Sequence, residues 1–350
     1  MAATAKAIVV APDEKTIIVA DAPIPQVRDE YVLVKVHAVA LNPADWKRVS
    51  WGELDAGTKI GLDYSGVVEK VGAKVTKFKI GDRITGFAHG SDRTNHNNGG
   101  FGEYNEVKAV LQIKIPDNLS FEQAATLPVG VITCGQGLYK SLKLPLPGSP
   151  ADEVFPILIH GGSTATGVLA IQYAKASGLT VIATASASNF DYLKALGADA
   201  VFDYRSPTCG SDIRAFTKNK LRYAWDTVSG EAICAAALSD AEPSMYGIIN
   251  RPSEDIKKLN PLVSEAGMTL AYDASGEDHI VRGRAVSGKQ DELDFASMFL
   301  ELSRKMIENS TLIPINPTVN STGSGLEGAI KGLEVLKAGK VRATKLVYTL

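Results

Sequence analysis

Ile157-Leu158-Ile159-His160-Gly161-Gly162-Ser163-Thr164-Ala165-Thr166-Gly167 is the stretch that sets the fold. An apolar run enters a glycine-rich turn, an apolar-periodic segment follows, and a second apolar run fills 180–184. Strand, tight turn, helix and strand within about 30 residues make a βαβ unit, the building block of a parallel dinucleotide-binding sheet. The turn lies at a helix start, where unpaired backbone N–H groups and the positive end of the helix dipole favour a pyrophosphate. On spacing, Gly162 takes the first glycine position of the fingerprint and Gly167 the third, with Thr164 in the middle one. A side chain there keeps a pyrophosphate off the backbone, so the Ser163 and Thr164 hydroxyls are expected to make part of the contact. Gly162, Ser163, Thr164, Ala165, Thr166 and Gly167 are thus the candidate pyrophosphate residues.

An acidic residue about 20 positions on would bind the ribose 2′-hydroxyl of NAD. That place reads Ala185-Ser186-Ala187-Ser188-Asn189, with no carboxylate. Hydroxyls, an amide and the N–H groups of Ser188, Asn189 and Phe190 suit a 2′-phosphate instead. The expected cofactor is NADPH, held at this end by Ser186, Ala187, Ser188 and Asn189.

With 350 residues, 45% of them hydrophobic, the chain has material for two sizeable cores. A net charge of −2 gives no global attraction to nucleic acid or to a membrane. No leader-like start and no long apolar run appear, so the expectation is a soluble, cytoplasmic protein. The three cysteines, Cys134, Cys209 and Cys234, are too few and too widely spaced for a disulfide framework or a zinc knuckle.

Ahead of the βαβ unit the chain is β-rich. Residues 5–10, 16–20 and 31–40 read as strands, and the glycines between the following strands suit the corners of a small barrel. From Ser120 a helical texture begins, with Ser120 and Gln123 spaced as a capping box. After it come strands at 200–204 and 221–226, the latter ending on Asp226, and a fifth at 246–250. Ligands in such sheets bind beyond the carboxyl ends of the strands, which puts Ile249 and Asn250 near the nicotinamide. Tyr204 is positioned to stack on adenine, and Arg205 and Lys194 are candidate charge partners of the phosphate. Helices are expected at 295–309 and 325–338, and a last strand at 345–348.

In this order of elements the chain resembles the medium-chain dehydrogenase/reductases from end to end. It is most similar to the fungal trans-acting enoyl reductases of highly reducing polyketide synthases, of the lovastatin-pathway type. The runs Gly161-Gly162-Ser163-Thr164-Ala165-Thr166, Asn189-Phe190-Asp191, Val201-Phe202-Asp203-Tyr204-Arg205 and Phe216-Thr217-Lys218-Asn219-Lys220-Leu221-Arg222-Tyr223-Ala224 carry this resemblance. It implies an α/β fold: a GroES-like β-barrel catalytic domain over 1–127, a Rossmann doubly wound parallel-sheet NADPH domain over 128–307, and a return to the catalytic domain over 308–350.

Where zinc-dependent members carry their ligands, this chain has Asn42-Pro43, Leu62-Asp63 and the cysteine-free segment 88–102. A catalytic zinc needs three protein ligands, so no metal is expected; His89, His96, Asn95, Asn97 and Asn98 read as a polar loop. Without a Lewis acid, hydride chemistry favours an alkene conjugated to a carbonyl, with protein groups stabilising the enolate oxygen. By resemblance, Lys47 sits beside the nicotinamide on the turn Ala44-Asp45-Trp46-Lys47, all four residues being cofactor candidates, and hydrogen-bonds the ribose or the enolate. Thr133, in Thr133-Cys134-Gly135, matches a threonine of the family, and the resemblance implies that its hydroxyl touches the substrate carbonyl oxygen or the nicotinamide amide. Leu270, Ala271 and Tyr272 complete the candidate substrate contacts, and Arg342 and Ala343 the cofactor ones. No dedicated acid stands out; Tyr64 and Tyr139 are possible donors.

The charged run Gly288-Lys289-Gln290-Asp291-Glu292 breaks a potential sheet edge, so a monomer is expected. The implied partner is the acyl carrier protein of a polyketide synthase or of a polyketide synthase–peptide synthetase hybrid, with Lys218, Lys220 and Arg222 as candidate basic contacts. The implied pocket is a long apolar cleft. Two other readings share much of this argument: a stand-alone quinone or 2-alkenal reductase, and a non-catalytic nucleotide-binding scaffold of a synthase.

Overall fold

The computed structural model of the protein describes residues 3–149, 153–250 and 255–350. The chain forms two compact units: Met1–Val129, Tyr272–Asn309 and Pro314–Leu350 make the first, and Gly130–Ala271 with Ser310–Ile313 the second.

The first unit is built on a seven-stranded sheet. Its order is Pro317–Val319, Lys345–Thr349, Tyr31–Ala40, Asp63–Val71, Arg83–Phe87 and Gln112–Lys114, with Tyr104–Lys108 also paired to Tyr31–Ala40. The hairpin Thr4–Val10/Ile17–Pro23 adds a second, two-stranded sheet. Ile8, Val32, Val34, Tyr64, Val68, Ile84, Phe101 and Tyr348 fill one core beneath them. The C-terminal strand pairs antiparallel with Tyr31–Ala40, Val347 facing Ala40, which ties the end of the chain into the first unit. The capping box at Ser120 is present: Gln123 N–H donates to Ser120 Oγ at 3.2 Å and Ser120 N–H to Gln123 Oε1 at 3.0 Å.

Residues 272–307, assigned from sequence to the nucleotide domain, pack with the first unit. Helix Gln290–Glu308 buries Phe299, Leu300, Met306 and Ile307 and lies against strand Gln112–Lys114 and the turn Ala109–Leu111. Asn118 Nδ2 donates to Ile307 O at 3.3 Å. Periodicity reveals that a helix has an apolar face, not which surface that face meets. The helix also starts earlier than its apolar pattern suggests, because Asp291 and Glu292 favour a first turn.

The second unit is a six-stranded parallel sheet in the order Ala200–Asp203, Thr180–Ala185, Pro156–His160, Tyr223–Asp226, Ser244–Ile248, Val263–Met268. Numbered from Pro156–His160 this is 3-2-1-4-5-6, the doubly wound order of dinucleotide-binding domains. The strand order reverses between Pro156–His160 and Tyr223–Asp226, and the glycine turn leaves the first of these two. Trp225 is fully buried, and a Cβ on Gly137 would come within 2.5 Å of its indole, so glycine is required where helix meets sheet.

Candidate active site

The glycine turn at the switch point is locked from within. Gly161 takes φ +79°, and a Cβ there would lie 2.4 Å from Thr227 Oγ1. A Cβ on Gly167 would lie 2.3 Å from Gly161 O, so this glycine sets the close approach of helix to strand. Gly161 is thus the left-handed residue of the turn, a role the spacing argument did not give it. Thr164 is the N-cap of helix Ala165–Ala176: its Oγ1 accepts from Gly167 N–H at 2.9 Å, donates to Gly161 O at 2.9 Å and meets Thr227 Oγ1 at 3.0 Å. That hydroxyl, expected on a pyrophosphate, is spent on the turn itself. The hydroxyl of Ser163 makes no hydrogen bond among the described residues, and the N–H groups of Ala165 and Thr166, in the first helical turn, have no intrahelical acceptor. These unspent donors fit an anion.

Beside the turn, buried Asp226 accepts from the N–H groups of Val228 at 2.8 Å and Ser229 at 2.9 Å and from Tyr246 Oη at 2.8 Å. His160 Nδ1 meets Thr184 Oγ1 at 2.7 Å, and burial lowers the imidazole pKa despite the opposing charges of Asp226 and Glu231. Thr184, His160, Asp226 and Tyr246 lie on four adjacent strands, the first three at or next to the carboxyl ends.

At the end of strand Thr180–Ala185, Ser186, Ser188 and Asn189 cluster. Asn189 Nδ2 donates to Ser186 Oγ at 3.2 Å, and the two serine hydroxyls are 3.4 Å apart. Asn189 N–H bonds Ser186 O at 2.9 Å and Phe190 N–H bonds Ala187 O, so two of the three backbone donors expected for a phosphate are used in the turn. Arg205 closes on Asp203 in a bidentate pair, Nε to Oδ1 at 2.9 Å and Nη2 to Oδ2 at 2.6 Å, which neutralises it locally. Lys194, exposed on the next helix, has no carboxylate partner among the described residues, and Tyr204 is 47% exposed. Ile249 and Asn250 are half-buried past the fifth strand, with Ile249 N–H on Asp226 O at 3.1 Å.

Thr133 lies in the last turn of the helix Pro128–Cys134, which runs on into a π-helical turn, Gly135–Ser141. Such turns are rare and concentrate at functional sites. Thr133 is 6% exposed, and its hydroxyl makes no back-bond to the helix, unlike Thr217, whose Oγ1 donates to Ile213 O. Among the described residues this nearly buried hydroxyl has no hydrogen-bond partner. Burial pushes the Cys134 thiol well up, so it is inert as a nucleophile. Tyr139 meets Ser177 Oγ at 3.0 Å, and Leu270 and Ala271 are half-buried.

On the first unit, helix Pro43–Ser50 presents Ala44, Asp45, Trp46 and Lys47. Asp45 faces inward: it is 1% exposed and its Oδ2 accepts from Asn42 N–H at 2.7 Å. It braces the turn and is not open to a ribose. Burial drives its pKa well above the ordinary carboxylate value, and Asp63 adds to the rise. The folded state therefore holds a proton that the unfolded chain releases, and stability falls as pH rises past the unfolded pKa. Asp45→Asn should flatten that decline, read as melting temperature against pH from acid to neutral; an unchanged slope would refute the assignment.

Where zinc-dependent relatives place ligands, this chain builds an ion pair. Asp63, fully buried, is paired with Lys345 Nζ and accepts from Asn42 Nδ2 and Val129 N–H, both at 2.8 Å. Among the described residues no group of three His, Cys, Asp or Glu side chains could hold a metal ion.

Lys47 is half-buried, and burial together with Arg282 lowers its pKa. Its neighbour Arg48 is 2% exposed; Nη2 donates to Ser91 O at 2.7 Å and Ile280 O at 3.1 Å, while Nε and Nη1 have no partner. Arg48 lies 5.2 Å from the Tyr272 ring, which packs at 5.0 Å on His89 and 6.3 Å on His279. His89, read from sequence as part of a polar loop, is packed here, and burial pulls its pKa down to about 4. Burial also pulls on His279, but Asp273, 3.2 Å from Nε2, and the Glu277 carbonyl at Nδ1 outweigh it and raise its pKa. No spacing rule links residues 48, 89, 272 and 279, and sequence reasoning found only Tyr272. Arg342 folds onto the carbonyls of Gly339 and Val341, and Ala343 takes φ +49°. Of the expected basic surface residues, Arg222 is 3.7 Å from Glu242.

A seven-stranded β unit joined to a doubly wound parallel sheet, with a glycine turn at the switch point, defines a nucleotide-dependent oxidoreductase of the alcohol dehydrogenase type. The Alcohol dehydrogenase GroES-like domain family matches residues 28–117 and the Zinc-binding dehydrogenase family residues 165–244. A solved alcohol dehydrogenase protein of Rhizobium etli is similar in fold, with a TM-score of 0.81 at 24% identity, covering 100% of this chain and 99% of that one. The trans-enoyl reductase ACTTS2 of Alternaria alternata is 44% identical over 340 residues, 94% of each chain. The trans-enoyl reductase TOXD of Cochliobolus carbonum is 46% identical over 273 residues, 78% of this chain and 91% of that one. The chain belongs to the trans-enoyl reductase family and is an oxidoreductase acting on carbon–carbon double bonds. No helix among the described residues is long and apolar enough to cross a membrane.

Proposed function

We propose that this enzyme uses NADPH to reduce α,β-unsaturated polyketide thioesters presented in trans by the acyl carrier protein of a polyketide synthase or a polyketide synthase–peptide synthetase hybrid. Its likeness to trans-enoyl reductases over nearly the whole chain carries the reading of the reaction. The hydroxyl and amide cluster Ser186, Ser188 and Asn189, with Lys194 on the next helix and without a carboxylate partner among the described residues, supports NADPH over NADH. When bound, the dinucleotide supplies the hydride for the β-carbon of the enoyl group. In this reading the glycine turn and Ser163 hold the pyrophosphate, the Lys47 ammonium hydrogen-bonds the developing enolate oxygen or the ribose, and the free Thr133 hydroxyl orients the thioester carbonyl. The first unit serves the substrate and the second the nucleotide.

The test is oxidation of NADPH by a 2-enoyl thioester on a pantetheine-type carrier, beside a simple quinone and with NADH as control. Thioester turnover with a strong NADPH preference is the expected result. Quinone turnover alone would make the protein a stand-alone quinone or 2-alkenal reductase, and equal use of NADH would refute the phosphate assignment.

A further inference from the structure

On the first unit, cations gather around two tryptophans. The Lys47 and Lys337 ammonium groups lie 5.9 and 5.8 Å from the Trp46 ring, and the Arg282 guanidinium lies 4.6 Å from the ring of Trp51, which is 39% exposed. Helix Pro43–Ser50, helix Gly325–Lys337 and the hairpin His279–Val281/Arg284–Val286 supply these groups, and the hairpin adds exposed Arg284. Lys47 and Arg282 are close enough for each to feel the other's charge. Among the described residues, none of Lys47, Arg282, Arg284 and Lys337 has a carboxylate oxygen within 4.0 Å. Some other surface cations are paired, as in Lys6–Asp21, Lys175–Asp199 and Arg214–Asp240. The whole chain has a net charge of −2, so this concentration of positive charge is local. Like charges held together repel, and an anion placed among them relieves the repulsion.

The backbone of the hairpin supports the same conclusion. Arg282, φ +52°, and Gly283, φ +70°, form its two-residue loop. The first position of such a loop suits asparagine, aspartate or glycine, whereas arginine there carries a backbone cost. A side chain kept at a strained tip points to a contact that the tip makes.

We propose that Arg282 and Lys337, beside Trp51 and Trp46, dock the phosphodiester of the phosphopantetheine arm on which a carrier protein presents its thioester. The inference rests on the trans-acting reading above. A guanidinium fork matches two phosphate oxygens, lysine adds point charge, and the indole faces suit the branched aliphatic part of the arm. An acidic carrier surface complements the same charges.

The test is the double variant Arg282→Ala/Lys337→Ala, with Lys47 intact, near neutral pH. One enoyl group is offered as its N-acetylcysteamine, pantetheine, phosphopantetheine and carrier-bound thioesters. The expected result is unchanged kcat and KM for the first two and a KM raised about tenfold for the last two, with kcat unchanged. Equal losses on all four, no loss on the phosphorylated pair, or a raised KM for NADPH instead would each overturn the proposal. If the wild-type enzyme turns over none of the four but reduces a quinone, the trans-acting reading fails first and the docking site falls with it.

Discussion

Replacing Lys47 by alanine should lower kcat/KM for an enoyl thioester by about 100-fold, the loss that follows removal of one positioned donor to a developing oxyanion. The helix Pro43–Ser50 holds Lys47 firmly, because Asp45 closes back on Asn42 N–H and Arg48 anchors the far end to Ser91 O and Ile280 O. A donor fixed in this way needs little reorganisation when charge appears on the substrate. Its charge also responds to pH: burial and Arg282 lower the pKa, so the ammonium is lost at lower pH than that of a free lysine. Activity should be full while Lys47 is protonated and fall as pH rises through this lowered value; Lys47→Arg, protonated throughout, should lack that alkaline limb. Dissociation constants for NADPH separate the two roles. Unchanged affinity with low kcat places Lys47 on the enolate, a matching loss of affinity places it on the ribose, and full activity in Lys47→Ala would remove it from the site.

Lys345→Met should be the most destabilising single change among the groups described here. It leaves the Asp63 carboxylate buried without its cation, and breaking a buried pair from one side costs about 3–5 kcal/mol. Asn42 Nδ2 and Val129 N–H remain as donors, but neither carries a charge. A fall of about 6–10 °C in the melting temperature of the intact chain is expected, and Asp63→Asn/Lys345→Met should regain much of it by removing both charges. A single variant as stable as the wild type would show that the pair contributes nothing. Because Asn42 joins Asp63 to the helix that carries Lys47, loss of the pair should also lower kcat.

The Asp63–Lys345 pair marks the limit of what a sequence discloses. Asp63 is visible as the residue standing where relatives bind zinc, yet its partner lies 282 residues away. The same holds for Arg48, His89, Tyr272 and His279, which meet only because a helix, a loop, a 3₁₀ turn and a hairpin converge. The spacing rule placed a glycine turn between a strand and a helix, where the structure has one, but the Thr164 hydroxyl and two of the N–H groups near Ser186 are consumed by their own turns. Whether a polar group is free depends on its neighbours in space.

The amino-acid sequence alone determined the βαβ unit, the strand-rich first part, the Ser120–Gln123 cap and the absence of a carboxylate at residues 185–189. Each is decided by periodicity or by partners within a few positions, where chain connectivity already sets the geometry. The tertiary structure decided that 272–309 belong with the first unit, that Asp45 braces a turn, that the Thr133 hydroxyl has no partner among the described residues, and that Lys47, Arg282 and Lys337 gather around Trp46 and Trp51. These depend on which faces are buried against which and on charges brought together across long stretches of chain, and only the folded packing sets those distances.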